Sequence, residues 1–276
     1  TLVLWRKYDR QERSADKIIE ELKVYAGRTY RYFLWGTDHE GKPVDPAHRT
    51  GPVRIWVDNT EVKAIDPLYA RLEKTKFPDD QKADLYKPMT IKWKADKNAA
   101  VPDADSLVTL RMSILPEDFR PTQGSGASPT AKERYIDMNE GISIMRNHRE
   151  VFYGRIPNWN VGAAGMPSFE KIDRWWGMEI LFDAEIDRAF TVKKIKRGAT
   201  PQKALRQTIK EKMLPTRESV LEIVRDVWAK AKAEKLDRAQ EEADKALQRG
   251  GNHKLAEKVA NRTATPKTQI DKDLDL

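Results

Sequence analysis

The chain has 276 residues, of which 34% are charged and 39% hydrophobic, and it carries a net charge of +8. This balance predicts a globular protein large enough to bury a core. The absence of cysteine excludes disulfides, thiol catalysis and thiolate metal sites, and it favours a cytoplasmic location. No apolar run approaches the ~18 residues that would span a bilayer, so we expect no membrane association. The chain begins at Thr1 inside a strand-like run, and we expect it to be a piece of a longer polypeptide.

The first sixty residues predict a strand, a helix and a hairpin. Leu2–Tyr8 suits a strand, and Ser14 is placed to cap a helix that starts at Ala15. The aromatic run at 28–35 fits either the end of that helix or a strand. Further on, alternating Val53, Ile55 and Val57 precede an Asp58–Asn59 turn, which is typical of a β-hairpin.

The middle of the chain predicts further strand pairs around a polar connection. Met89–Ala95 and Ser106–Leu115 suit one pair. The Gly/Ser/Pro-rich stretch within 116–132 predicts a linker or mobile loop. A second pair follows around a turn at Asn147–His148, and Met178, Ile180 and Phe182 indicate another buried strand.

From Pro201 onward the apolar spacing becomes helical. Leu205, Ile209 and Met213 share one face, and a second, longer helix is predicted from Glu218 to Gln248. The sequence therefore predicts an α+β fold with two β-rich halves joined at 116–132 and a helical tail.

The positive charge is concentrated in one segment. Between Lys193 and Arg217 there are nine basic residues and one acid, so this segment accounts for the whole net charge of +8. Three interpretations remain open. The segment is a solvated helix end; or it binds nucleic acid along a stripe; or it carries a single lysine that reaches a polyphosphate. The cations of the nucleic-acid interpretation are Lys193, Lys194, Lys203, Arg206 and Lys210.

Two other patterns favour ordinary structure over a site. Gly36–Pro43 matches seven positions of a phosphate-binding loop, but Pro43 stands where Ser or Thr would hold Mg²⁺, so we expect a turn. The four histidines lack the spacing of helical metal ligands and are predicted to be surface or turn residues. They are His39, His48, His148 and His253.

Acidic and aromatic residues surround the last predicted strand. Four carboxylates suggest acid chemistry or metal binding, but alternation along the strand favours a solvated polar face. They are Glu179, Asp183, Glu185 and Asp187. Trp175 and Trp176 are predicted to be core residues rather than a platform for nucleic-acid bases.

The order of motifs resembles the region that follows the nucleotide pocket in GHKL-type (Bergerat-fold) ATPases, most closely bacterial MORC-like members. The resemblance is carried by three runs: TLVLWRKYDR, GISIMRNHRE and RWWGMEILFDAEIDRAFTVKKIKRGATP. It implies the final strands of an ATPase domain, a ribosomal-S5-like transducer domain and C-terminal helices. It also implies that Lys196 is the transducer lysine reaching the γ-phosphate, with Arg197 as a further phosphate donor and Thr1 near the adenine. The family's Asn and Gln beside this lysine are Ile195 and Arg197 here.

From this resemblance we predict four parts. They are the remainder of the ATPase domain at 1–115, a linker at 116–132, the transducer domain at 133–215, and a C-terminal helix with a tail at 216–276. ATP and Mg²⁺ are expected in the intact protein and neither on this fragment alone, because the Asp-x-Gly-x-Gly adenine loop is absent from the 276 residues. The expected partners are the protein's own N-terminal ATPase domain, a second copy and nucleic acid. The alternatives are a non-catalytic nucleic-acid-binding module that uses residues 193–217 and an oligomerisation scaffold that uses the 218–248 helix.

Overall fold

A computed structural model describes residues 13–44, 51–156, 169–191 and 199–248. The helices are α1 (Ala15–Thr29), α2 (Arg31–Trp35), α3 (Pro129–Glu133) and α4 (Lys203–Gln248). The strands are β1 (Trp56–Val57), β2 (Thr60–Glu61), β3 (Asp84–Leu85), β4 (Met89–Lys94), β5 (Asp105–Ile114), β6 (Ile142–Arg146), β7 (Arg149–Gly154) and β8 (Trp176–Phe182). The fold is α+β, as the sequence predicts.

One mixed sheet organises the molecule. Its order is β3-β5-β8-β6-β7, and β4 continues the β3 edge by pairing with β5. β6 and β8 run parallel, and the other pairs of this sheet are antiparallel. β8 lies between β5 and β6, so strands from both sides of the 116–132 segment join in one sheet.

Helices cover both faces of this sheet. On one face, alternate residues of β5, β6 and β8 pack with α4 in the main core, and Leu205, Ile209 and Met213 are fully buried there. The opposite face holds a smaller core in which α2 residues Tyr32, Leu34 and Trp35 meet Met145 and Leu181. Because both faces are covered, every residue of β8 is buried, including the one acid in it.

Most predicted elements are confirmed. Ser14 caps α1 by accepting a hydrogen bond from the Lys17 N–H. The two predicted turns contain left-handed residues, Asp58–Asn59 and Asn147–His148, which suits tight hairpins. Trp175 and Trp176 are core residues, each 1% exposed. The predicted strand at 2–8 lies outside the described residues.

The prediction of two C-terminal helices is wrong, because α4 is one continuous helix with Pro215 inside it. A proline removes a backbone donor and disfavours a helix interior by ~3 kcal/mol. Here Met213 and Arg217, on either side of it, are both buried. Their packing on the sheet keeps the helix on its path through Pro215.

The 116–132 segment contains local structure. It holds two 3₁₀ helices, Glu117–Phe119 and Gln123–Ala127, and the start of α3. Its assignment as a linker between an ATPase remainder and a transducer domain stays a prediction, as do the bounds of those domains. Within the described ranges, no helix is long and apolar enough to cross a bilayer.

Candidate functional site

The basic segment is described only in its second part. Lys203 is exposed, and Arg206 and Lys210 are partly exposed on the first turns of α4. None of the three forms an ion pair within the part of the chain that the structure describes. Further along the helix, by contrast, Arg238 and Lys245 pair with glutamates one turn earlier. The predicted residues Thr1, Lys193, Lys194, Lys196 and Arg197 lie outside the described residues, as do His48 and His253.

The residues on either side of the undescribed 192–198 segment are firmly placed. Phe190 is fully buried and stacks on Phe182 at the end of β8, with ring centroids 3.8 Å apart. Ile186 and Ala199 are also buried. The chain before and after the segment is thus part of the main core.

Hydrogen bonds join these two flanks directly. The Thr191 hydroxyl donates to the Thr200 carbonyl (2.6 Å), and the Thr200 N–H donates to the Phe190 carbonyl (2.7 Å). The flank before the segment is also tied to the sheet, because Arg146 of β6 donates both Nε and Nη2 to the Asp187 carboxylate at 2.6 and 2.9 Å. The two described flanks are therefore held together and tied to the sheet.

A second set of polar residues lies where the sequence predicts none. Strand register aligns Arg111 of β5, Glu179 of β8 and Ser143 of β6 in one row across the sheet. Arg31 of α2 lies on this row, and its Nη2 donates to Glu179 and, at 2.8 Å, to the Ser143 hydroxyl. Arg111 Nη1 and the Tyr32 hydroxyl donate to the other Glu179 oxygen at 2.8 and 2.7 Å.

The cluster continues to β7 through Glu150. Arg31 Nη1 donates to Glu150 at 3.0 Å, and Ser143 donates to the same oxygen at 2.6 Å. Arg28 at the end of α1 adds its Nε at 3.1 Å, with its guanidinium 3.0 Å above the Tyr153 ring. We call Arg28, Arg31, Arg111, Glu150 and Glu179 the buried charge cluster; three cations and two carboxylates join α1 and α2 to three strands.

Mutual attraction keeps Arg31 and Glu179 ionised despite their burial. Burial alone would raise the pKa of Glu179, but Arg31 and Arg111 hold it below its ordinary value. Burial would likewise lower the pKa of Arg31, and Glu179 and Glu150 raise it instead. The pKa of Tyr32 is raised well above 10.0 by burial and by Glu179, so its phenol remains a donor to that carboxylate.

The predicted solvated face for Glu179 is therefore wrong. Alternation correctly separates Glu179 from Met178 and Ile180, but α2 covers that face and leaves Glu179 only 1% exposed. Asp183 and Glu185 are exposed, and Asp187 is half-buried against Arg146. The signal in the sequence is a lone charge within an apolar run, as at Arg111 and at Glu179.

A 280 Å³ pocket adjoins the cluster beside α2. Arg111 and Tyr32 line it together with His39, Asp66 and Arg71. Burial and the charge of Arg111 lower the pKa of His39, which favours its neutral imidazole. The pocket is small, and its cations are matched by neighbouring carboxylates. In the described ranges, no group of His, Asp and Glu is arranged to hold a metal ion.

The run resembling a phosphate loop is a turn, as predicted. Gly36 ends α2 with a left-handed φ of 85°. The Asp38 carboxylate then accepts the N–H groups of Glu40 (2.8 Å) and Lys42 (2.9 Å). The backbone donors of this turn are satisfied by Asp38, which leaves them unavailable to a phosphate.

Comparison with known proteins adds no relative to these observations. No family model matches the chain, and neither a curated protein nor a solved structure matches it.

Proposed function

We propose that this chain is the transducer region of a GHKL-type, MORC-like ATPase, with the last strands of the ATPase domain and a ribosomal-S5-like domain. In this proposal Lys196 couples ATP binding and hydrolysis in a separate N-terminal domain to conformational change. The observation that carries the proposal is the pair of hydrogen bonds between the flanks Phe190–Thr191 and Thr200. They hold together the two described flanks, which lie on either side of Lys196 in the sequence and follow the central strand.

The chemistry asked of Lys196 is electrostatic. An ammonium group near a γ-phosphate stabilises the negative charge that moves during phosphoryl transfer. ATP and Mg²⁺ would be held by the N-terminal domain, with Arg197 as an additional donor from this chain. Since the flanks of the segment are fixed to β8 and α4, a displacement of Lys196 would be passed to the sheet and to the long helix.

Replacing Lys196 with alanine tests this role in the protein that contains both this chain and the ATPase domain. We expect ATP turnover to fall about tenfold or more, with little change in nucleotide affinity, because the lost interaction belongs to the transition state. Lys203→Ala is the matched control, since it removes a nearby exposed lysine. Unchanged turnover in Lys196→Ala would remove the coupling role.

A second function, nucleic-acid binding, is supported by the unpaired cations at the start of α4. Lys203, Arg206 and Lys210 follow helical spacing and have no acidic partner in the described ranges, and Lys193 and Lys194 precede them in the sequence. We propose duplex DNA as the ligand of this stripe. Affinity should fall steeply with salt, and Lys203→Glu with Lys210→Glu should abolish most of it. If the affinity for duplex DNA changes neither with salt concentration nor with the double substitution, this function is excluded.

A further inference from the structure

A cleft of about 860 Å³ is lined in part by the middle of α4. Its walls come from the 3₁₀ helix Gln123–Ala127, the 3₁₀ helix Lys171–Trp175 and the middle of α4. Among the described residues, four cations and two acids line it. They are Arg155, Lys171, Arg174, Arg225, Glu140 and Glu170.

Both acids of the cleft are already engaged. Glu140 accepts hydrogen bonds from Arg174 and, at 2.7 Å, from Arg155. The Glu170 carboxylate caps the following 3₁₀ helix by accepting a backbone N–H. The negative charge of the lining is therefore used to hold the walls together.

Arg174 forms the fixed floor of the cleft. Its Nη1 donates to the Gly126 carbonyl at 3.0 Å, and a Cβ at Gly126 would lie only 2.3 Å from that nitrogen. The guanidinium therefore packs directly against the Gly126 backbone, in space that a side chain at this position would fill. Its Nε is buried without a hydrogen-bond partner, so the floor retains one unsatisfied donor.

Two cations at the cleft have no acidic partner. Lys171 and Arg225 are exposed, and neither forms an ion pair in the part of the chain that is described. Since the described lining holds four cations and two acids, its net charge is positive. Such a charge favours an anion, and phosphate is a common ligand of paired Lys and Arg side chains.

The opposite wall is aromatic. Phe169 is stacked on Trp176 with centroids 5.7 Å apart, and Trp228 is held in place by donating its Nε1–H to the Arg120 carbonyl at 3.0 Å. Trp175 completes this wall. A ligand that fits has an anionic group and a flat or apolar part, and the volume lies within the ~300–1,000 Å³ range of small-molecule sites.

We propose that this cleft binds a nucleoside phosphate, with the phosphate between Lys171 and Arg225 and the base against Phe169 and Trp228. The nucleoside phosphate is either a free mononucleotide or one unit of a single-stranded nucleic acid, since both present the same phosphate and base. The described lining of the site shares no residue with the stripe at the start of α4.

Two binding measurements test the proposal and distinguish the two sources. AMP is measured by equilibrium dialysis, and fluorescein-labelled (dT)12 is measured by polarisation over a range of salt concentrations. Binding of AMP indicates a free nucleotide, and binding of (dT)12 alone indicates a strand; either result supports the site. Lys171→Glu with Arg225→Glu should lower affinity at least tenfold for whichever ligand binds. For (dT)12, the logarithmic salt slope should drop by about 0.7, the value for the loss of one phosphate contact on a single strand.

Lys17→Glu with Lys92→Glu is the matched control, because it makes the same charge change at two exposed lysines that belong neither to the cleft lining nor to the stripe at the start of α4. It should leave affinity for the cleft ligand within about twofold. Lys171 and Arg225 are exposed, so we expect their substitution to preserve folding, and circular dichroism checks this. Absence of binding for both probes, or equal loss in the control and cleft variants, would overturn the proposal without affecting the role proposed for Lys196.

Discussion

Arg31 and Glu179 form an ion pair between α2 and the centre of the sheet, and neither side chain is more than 1% exposed. Removing two charges from water is costly, and a buried pair recovers that cost only when further hydrogen bonds satisfy the remaining donors and acceptors. Ser143, Tyr32 and Arg111 supply those bonds. The main effect of the pair is therefore to fix the position of α2 on the sheet. Its net contribution to the free energy of unfolding is small, because the cost of burying the charges offsets their attraction.

Neutralising Glu179 should be strongly destabilising. Glu179→Gln keeps the shape but leaves Arg31 and Arg111 without their shared carboxylate, and we expect the free energy of unfolding to fall by about 3 kcal/mol. Urea denaturation measures the change. Asp183→Asn, just past the end of the same strand and exposed, should change it by less than ~0.5 kcal/mol. Equal effects of the two substitutions would show that the charge of Glu179 is not needed.

The buried charge cluster should also make stability depend on acidity. Burial tends to raise the pKa of Glu179, but Arg31 and Arg111 depress it in the folded state. Its contribution is thus present above the unfolded pKa of about 4.3 and is lost as pH falls through the lower folded value. We expect the unfolding free energy to fall below about pH 4, and to fall less steeply in Glu179→Gln. Parallel pH curves for the two proteins would contradict this.

Asp173 and Arg217 should anchor α4 to the start of β8. Arg217 donates Nε and Nη2 to the two Asp173 oxygens at 2.8 and 2.9 Å, and both residues are buried. Asp173→Asn should lower the free energy of unfolding by about 3 kcal/mol, measured by urea denaturation. Asp226→Asn, on the exposed side of α4, is the control. A loss no larger than that of the control would mean that apolar packing alone holds the helix.

Gly177 allows the 66–71 loop to lie against β8. A Cβ at Gly177 would come within 2.3 Å of the Pro67 carbonyl oxygen and 2.7 Å of the Leu68 Cα, and backbone cannot move aside cheaply. Gly177→Ala should therefore cost about 2 kcal/mol or more, detected as a lower unfolding midpoint. Gly124→Ala, where a Cβ would meet no atom within 4 Å, should be neutral. Tolerance of alanine at Gly177 would show that this loop is not packed as described.

Local chemistry made the strands and hairpins predictable. The alternation around Met178 and Ile180 placed β8 correctly, and Asn147–His148 marked the β6–β7 hairpin because two left-handed residues suit a tight turn. What covers each face depends on distant residues. Arg31 and Glu179 are 148 positions apart, so no local pattern could reveal that α2 covers the face bearing Glu179.

The same limit applies to candidate sites. Helical spacing is sufficient to place Lys203, Arg206 and Lys210 on one stripe. The cleft could not be predicted from the sequence, because Lys171 and Arg225 belong to different elements and are brought to one cleft only by the fold. The continuity of α4 through Pro215 is likewise a result of packing on the sheet, which local propensity does not contain.

The position of β8 within the sheet has a consequence for how the chain acquires its structure. β8 is the last strand to be synthesised among those described, yet it pairs with β5 on one side and with β6 on the other. Until residue 182 has left the ribosome, both neighbours present open edges, and Arg31 lacks its principal counter-ion. Contacts of such long sequence separation slow folding. A chain synthesised only to residue 175 should therefore be a partly folded intermediate whose sheet lacks its central strand. The unpaired edges of β5 and β6 should make this intermediate prone to edge-to-edge aggregation until β8 is added.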